Sequence, residues 1–433
     1  MQDNKFKLKG FVVWGLCAVF FLYEFFIRTV IGTYQVPIMQ DLQLNSFQFS
    51  LLSSTLFLII YGIMQLPVGI IVDHIGLKKS LIIGTMACSI ASIGFSYSSS
   101  YLMAMFYRGI MGFGASFGFI CLLISVYDWM PHRYSAIFIG LSQFIGTLGP
   151  MMATGPLDTL SETMSISWHQ IFLSLGGVGI ILTALTILFI ENNTQKAGQY
   201  IVLYKPEKIS TSILRLFTRM QPWYIAILST SLYFTIEYLS ENEGRNFLSL
   251  KGISSNSAAY MLTTAWIGYA IGCPLLGFLS DFLKRRKIMM ILAAIIGLIS
   301  VITILYVPNQ YLTIAFFYLG ISASGQSIGF AIIAEQFKKQ FVAVGFGLNN
   351  TMIVLISAIN APVIGFLLDH TKKANELILR EYLSVFIILV ILSLIAVFTS
   401  IFLIQETYTK SLADFTYLAP KKASLTKSKV STI

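Results

Sequence analysis

The sequence predicts an all-α membrane protein of twelve transmembrane helices arranged as two pseudo-symmetric halves of six. Three observations carry this. Of the 433 residues, 56% are hydrophobic and 11% charged, against roughly a quarter charged in an average soluble domain. Apolar runs of about 18 to 25 residues recur along the chain, each long enough at 1.5 Å per helical residue to cross about 30 Å of hydrocarbon. Finally, Gly69-Ile-Ile-Val-Asp73-His-Ile-Gly76-Leu-Lys78-Lys79 returns in degenerate form as Gly277-Phe-Leu-Ser-Asp281-Phe-Leu-Lys284-Arg285-Arg286-Lys287. The offset of 208 residues (277 − 69) also relates Asp73 to Asp281, Lys78 to Arg286, Lys79 to Lys287 and Gly112 to Gly320. It slips by one residue for Asp128 with Glu335 and Gly140 with Gly347, as expected of a duplication whose loops absorb the insertions. Continuous apolar runs exclude a β-barrel, whose strands alternate over about 10 residues.

The spans are expected near residues 11–34, 48–71, 81–98, 102–124, 136–155 and 169–190, then 222–239, 258–279, 288–306, 311–333, 343–367 and 383–404. This divides the chain into a first half over 1–190, a polar linker over 191–221, a second half over 222–405 and a Lys-, Ser- and Thr-rich tail over 406–433. The first run follows Lys5, Lys7 and Lys9 without a small-residue cleavage site, so it is read as a retained first helix.

A formal net charge of +10 could suggest nucleic acid, but the cations follow the topology. Lys5 to Lys9, Lys78, Lys79, Arg133, the linker, Lys284 to Lys287, Lys338, Lys339 and the tail all fall on one side if the spans alternate. That bias places both termini in the cytoplasm, leaves no case for nucleic acid, and fits a multi-pass protein of the inner membrane. Cys17, Cys88, Cys121 and Cys273 lie within apolar runs, without CxxC or Cys/His spacing, so neither a disulfide framework nor a metal site is indicated. There is no Gly-x-x-x-x-Gly-Lys loop for nucleotide phosphates. No cofactor and no enzymatic constellation are expected.

Charges inside the runs are the informative residues, because each costs several kcal/mol at bilayer depth and is kept mainly where it faces a cavity or a partner. Glu24 and Arg28, in Tyr23-Glu-Phe-Phe-Ile-Arg-Thr, are four apart and share a helix face on which they can pair. The arginine could grip a carboxylate or phosphate, with Glu24 at a cationic group of the ligand or at Arg28 itself. Tyr23, Gln326, Asn349, Asn350 and Asn360 could add hydrogen bonds, or serve as glue between helices. Glu237 closes the seventh run, where it could carry a proton or stand at an exposed rim with Glu241 and Glu243. Asp128 and Glu335 read as structural relays beside Arg133 and Lys338.

The repeated signature and the twelve runs resemble the major facilitator superfamily. His74 stands where that family usually has Arg or Lys, and Lys284 replaces the Gly of the second copy. The resemblance implies two halves that rock about a central site. It makes Gly69, Asp73, Gly76, Lys78, Lys79, Gly277, Asp281, Arg285 and Arg286 gating residues that latch the halves, and associates Arg108, in Arg-Gly-Ile-Met-Gly112-Phe-Gly114, with proton coupling. Trp266 to Asp281 and Gly347-Leu-Asn349-Asn350 resemble uptake members of the superfamily, including phagosomal amino-acid transporters and organophosphate or anion carriers. Gly140, Gly146, Gly149 and Pro150 partly resemble the antiporter motif of drug exporters. The expectation is a monomeric secondary transporter for a small polar solute, an amino acid or organic anion, taken up with protons through the lipid bilayer. Two alternatives stand beside it: an exporter of amphipathic compounds or siderophores, and a membrane receptor without flux.

Overall fold

The computed structural model describes residues 8–130, 135–190, 219–336, 342–371 and 378–408. The first half comprises α1 (Leu8–Thr33), a short α2 (Gln35–Asp41), α3 (Ser46–Ser50) continued through a π-turn (Leu51–Thr55) into α4 (Leu56–Ile75), α5 (Leu77–Ser96), α6 (Tyr101–Trp129), α7 (Ser135–Ala153) extended by α8 (Gly155–Met164), and α9 (Trp168–Phe189). The second half comprises α10 (Met220–Glu241), a short α11 (Gly244–Leu250), α12 (Ser255–Leu283), α13 (Arg286–Tyr306), α14 (Leu312–Ala323) with α15 (Gln326–Gln336), α16 (Val342–Thr371), and α17 (Leu379–Val385) with α18 (Ile387–Phe398), closed by a π-turn (Thr399–Leu403). Joined this way, the helices make six membrane-crossing rods per half. Most rods extend a few residues beyond the apolar runs, because their ends are polar and capped rather than apolar. Ten stretches of the described residues are long and apolar enough to span a bilayer. The expected linker, for residues 191–218, and the tail beyond Tyr408 lie outside the described residues.

Local chemistry sets the helix boundaries. Asn45 and Gln48 form a reciprocal capping box at α3, Ser167 and Gln170 do the same at α9, and Ser100 and Ser254 cap α6 and α12. Each cap satisfies backbone donors that would otherwise be orphaned. Gly76, at φ 83°, joins α4 directly to α5, a conformation that favours glycine. The outside of the bundle is apolar: Leu188, Phe278, Phe282 and Phe402 are largely exposed, as lipid rather than water would solvate them.

The halves meet along three helix pairs, α1 with α10, α3 and α4 with α16, and α7 and α8 with α12. These pairs are related by the same twofold that relates the repeats. Gln221 Nε2 donates to Leu403 O at 2.7 Å, so the start of the second half and the end of its last span share one end of the bundle, here called the termini end.

Candidate functional site: a buried arginine under a one-sided seal

Among the described residues, the polar ties between halves gather at the end opposite the termini. Gln35 donates to Glu243 at 2.9 Å, Ser53 to Asn242 at 2.6 Å, and Asn242 to Ser54 at 2.8 Å. Arg245 spans Thr33 O at 2.8 Å and Asp158 at 2.5 Å. Thr154 and Thr263 pair at 2.7 Å, and Asp369 accepts from the Ser46 and Phe47 amides at 3.3 and 2.9 Å, capping α3 from the other half. Burial raises the Asp158 carboxyl above the ordinary aspartate range, against the opposing pull of Arg245. The tie nearest the termini end is Thr351 to Gly62 O at 3.4 Å, near mid-helix. Glycine permits the tightest approach: a Cβ on Gly32 would strike the Ser240 carbonyl and lie 2.8 Å from Glu241 Cα. At the termini end, by contrast, Cβ atoms on Gly69 or Gly277 would meet nothing within 4 Å. Among the described residues, the halves are tied at the end opposite the termini and near mid-helix.

Arg28 lies directly beneath the seal. It is 5% exposed, forms an ion pair with Glu237 and a second with Glu241 at 2.9 Å, and lies 5.5 and 5.9 Å from the ring centres of Phe25 and Tyr233. The first half thus supplies the cation and the second half both carboxylates. The pairing expected between Glu24 and Arg28 is not formed, because the guanidinium turns across the interface. Glu24 packs against Gly118 of α6, is 1% exposed, and its Oε1 has no hydrogen-bond partner.

Further polar groups share this depth. Asn349 is fully buried with both amide atoms unpartnered, and Asn350 Nδ2, Gln65 Nε2, Gln326 Oε1 and Trp266 Nε1 are likewise without partners. Gln326 Nε2 donates to Tyr269 at 2.8 Å. Buried donors and acceptors are rarely left unpaired, so this lining fits a ligand that is itself polar. Tyr23 is a correction: its hydroxyl donates to Leu175 O at 2.8 Å, so it braces α1 on α9. Asn360 likewise bonds its own helix, donating to Ile356 O at 2.9 Å.

Arg108 is fully buried and donates to three carbonyls, Ile27 O and Arg28 O at 3.0 Å and Ser53 O at 2.7 Å. A π-turn shifts the carbonyl pattern of a helix, and Arg108 takes the Ser53 oxygen inside one. Its guanidinium therefore ties α1 to the π-turn, and Phe57 covers it at 4.5 Å.

Where they are described, the paired cations of the expected gating set hold partners within their own halves. Lys78 donates to Ile187 O at 2.7 Å within its own half, Lys79 is exposed, and the side chain of Asp73 lies outside the described residues. Arg286 pairs with Asp281 at 2.6 Å and Glu335 at 2.8 Å, also within its own half, and Arg285 stacks over Tyr408 at 4.8 Å. Glu335, expected beside Lys338, pairs with Arg286; Arg133, Lys338 and Lys339 lie outside the described residues. A Cβ on Gly146 would strike the Phe21 ring and one on Gly149 would lie 2.5 Å from Leu22 O, so both glycines of α7 serve close packing on α1. The exposed rim expected at Glu241 and Glu243 is corrected: they are 1% and 0% exposed. The four-residue spacing of Glu237 and Glu241 could have revealed their common face, whereas Gln35, Asn242 and Arg245 carried no signal in the sequence.

Two repeated six-helix halves with charged residues buried between them are the architecture of a secondary transporter. The chain belongs to the major facilitator superfamily, whose pattern, described as Major Facilitator Superfamily, matches residues 16–241 and 226–424. It is similar to a probable sulfoacetate transporter of Cupriavidus necator, 23% identical over 303 residues that cover 66% of this chain and 68% of the relative. It is also similar to a probable galactarate/D-glucarate transporter of Escherichia coli, 22% identical over 390 residues covering 80% and 86%. Among solved structures it shares its fold with a bacterial homologue of the human lysosomal transporter Spinster in an inward-facing, unoccupied conformation (TM-score 0.70, 15% identity, 91% and 97% covered) and with a D-xylose-proton symporter (TM-score 0.72, 17% identity, 93% and 99% covered).

Proposed function

We propose that the chain is a secondary active transporter that takes up a small, polar organic anion across the inner membrane together with protons. The observation that carries this reading is Arg28, a guanidinium held between the halves among buried polar atoms that have no protein partner. Arginine presents a planar fork suited to carboxylate, sulfonate or phosphate, and unpaired amides suit hydroxyl or carbonyl groups on the rest of the solute. Relatives named for sulfoacetate and for galactarate or glucarate favour an organic acid over an amino acid. The bias of basic residues toward the termini end supports a cytoplasmic reading of that end, in which the seal faces outward and the carrier is open inward.

The seal and the site share one residue. Opening the sealed end must part Arg28 from Glu237 and Glu241, and a bare guanidinium at that depth is costly. A bound anion replaces the lost carboxylates, so loading and opening occur together. Glu24, buried and without a hydrogen bond at Oε1, is the group we assign to the proton.

Purified protein in liposomes, given labelled D-glucarate or sulfoacetate with an inward proton gradient, tests the reading. Gradient-driven accumulation that Arg28→Gln abolishes is the expected result. Pumping of lipophilic dyes without organic-acid uptake would favour export instead, and ligand binding without flux would favour a receptor.

A further inference from the structure

At the termini end of the second half, outside the transport path, a groove of about 670 Å³ opens between the start of α13 and the closing π-turn of the last span. Its walls are Ile288, Ile291 and Phe402, and its rim carries Arg285, Lys287 and Glu406. Ile288 and Phe402 are 48% and 68% exposed. The candidate spans 286–306 and 379–403 begin and end at this groove, so it lies where hydrocarbon meets headgroups.

The charges on the rim are unequally engaged. Glu406 accepts four backbone amides, from Arg286 at 2.8 Å, Lys287 at 3.1 Å, Thr407 at 3.1 Å and Tyr408 at 3.2 Å, so its carboxylate already caps the α13 N-terminus. Arg286 is taken by Asp281 and Glu335. Among the described residues, no carboxylate lies within ion-pair distance of Arg285 or Lys287. The repeats also differ at this point. Lys78, the counterpart of Arg286, reaches across to Ile187 O at the end of α9, whereas in the second half the link runs the other way, with Glu406 beyond the last span reaching the α13 amides.

We propose that this groove binds an anionic phospholipid, its phosphate between Arg285 and Lys287 and an acyl chain along Ile288, Ile291 and Phe402. A net positive rim above an apolar trough selects an anionic over a zwitterionic headgroup, since the latter brings its own cation.

Native mass spectrometry of the full-length protein, released from nanodiscs of equimolar phosphatidylglycerol and phosphatidylcholine, tests this. The wild type should retain phosphatidylglycerol preferentially, and Arg285→Ala/Lys287→Ala should bind it roughly thirtyfold more weakly, as loss of two interfacial cations implies. Phe402→Glu, which keeps both cations but places a carboxylate at the trough, should also release it. Equal retention of both lipids by the wild type, unchanged retention in both variants, or an equal loss in Lys78→Ala/Lys79→Ala would overturn the proposal. So would displacement of the lipid by millimolar inorganic phosphate, which would make this a site for free anions.

Discussion

Arg28 and Arg108 sit on neighbouring helices at similar depth and do opposite things. Arg28 faces carboxylates that can leave with the other half, whereas Arg108 grips backbone carbonyls of its own half. A substitution that preserves charge therefore separates them: Arg108→Lys keeps the charge but loses the fork, leaving buried carbonyls without donors at a cost of about 2 kcal/mol. Thermal unfolding in detergent should show a lower Tm for Arg108→Lys than for Arg28→Lys; equal shifts would contradict the bracing role. Glu24→Gln should retain solute exchange across liposomes loaded on both sides while losing accumulation driven by a proton gradient. If the variant still accumulates solute under the gradient, the proton resides elsewhere.

On the scale of helices, the twelve rods were legible because hydropathy and length are local properties, and the duplicated signature placed the symmetry without any structure. Gly76 was legible as part of that signature, and its positive φ gives the reason. The seal was not legible. Asn242, Glu243 and Arg245 read as a polar connection after the seventh run, and only tertiary packing buries Asn242 and Glu243 and aims Arg245 at the other half. Tyr23 failed for a related reason: a helical repeat assigns a face, but not which neighbour that face meets, and α9 lay there instead of the cavity. Where α1 meets α10, Gly32 permits backbone contact. Gly32→Val should hold the pair apart, and an exposed single cysteine near the seal should then label faster with a membrane-impermeant maleimide added from outside. Unchanged labelling would mean that the seal does not depend on this contact.

For the whole molecule, the polar ties between halves among the described residues gather toward one end, so reversible locking is possible. Ser53 and Asn242, 2.6 Å apart through their side chains, can be replaced by a cysteine pair. Its oxidation should stop uptake and reduction should restore it, whereas uptake unaffected by oxidation would mean that this end never opens. The native cysteines are free, and Cys17, Cys88 and Cys121 are buried, which limits interference.

The one-sided seal also has a pharmacological consequence. Given the proposed function, an analogue too bulky to be enclosed would reach Arg28 only from the side opposite the seal. Inhibition of this carrier in this state would have a sidedness: a blocker trapped inside a vesicle and the same blocker in the bath would act as two different drugs.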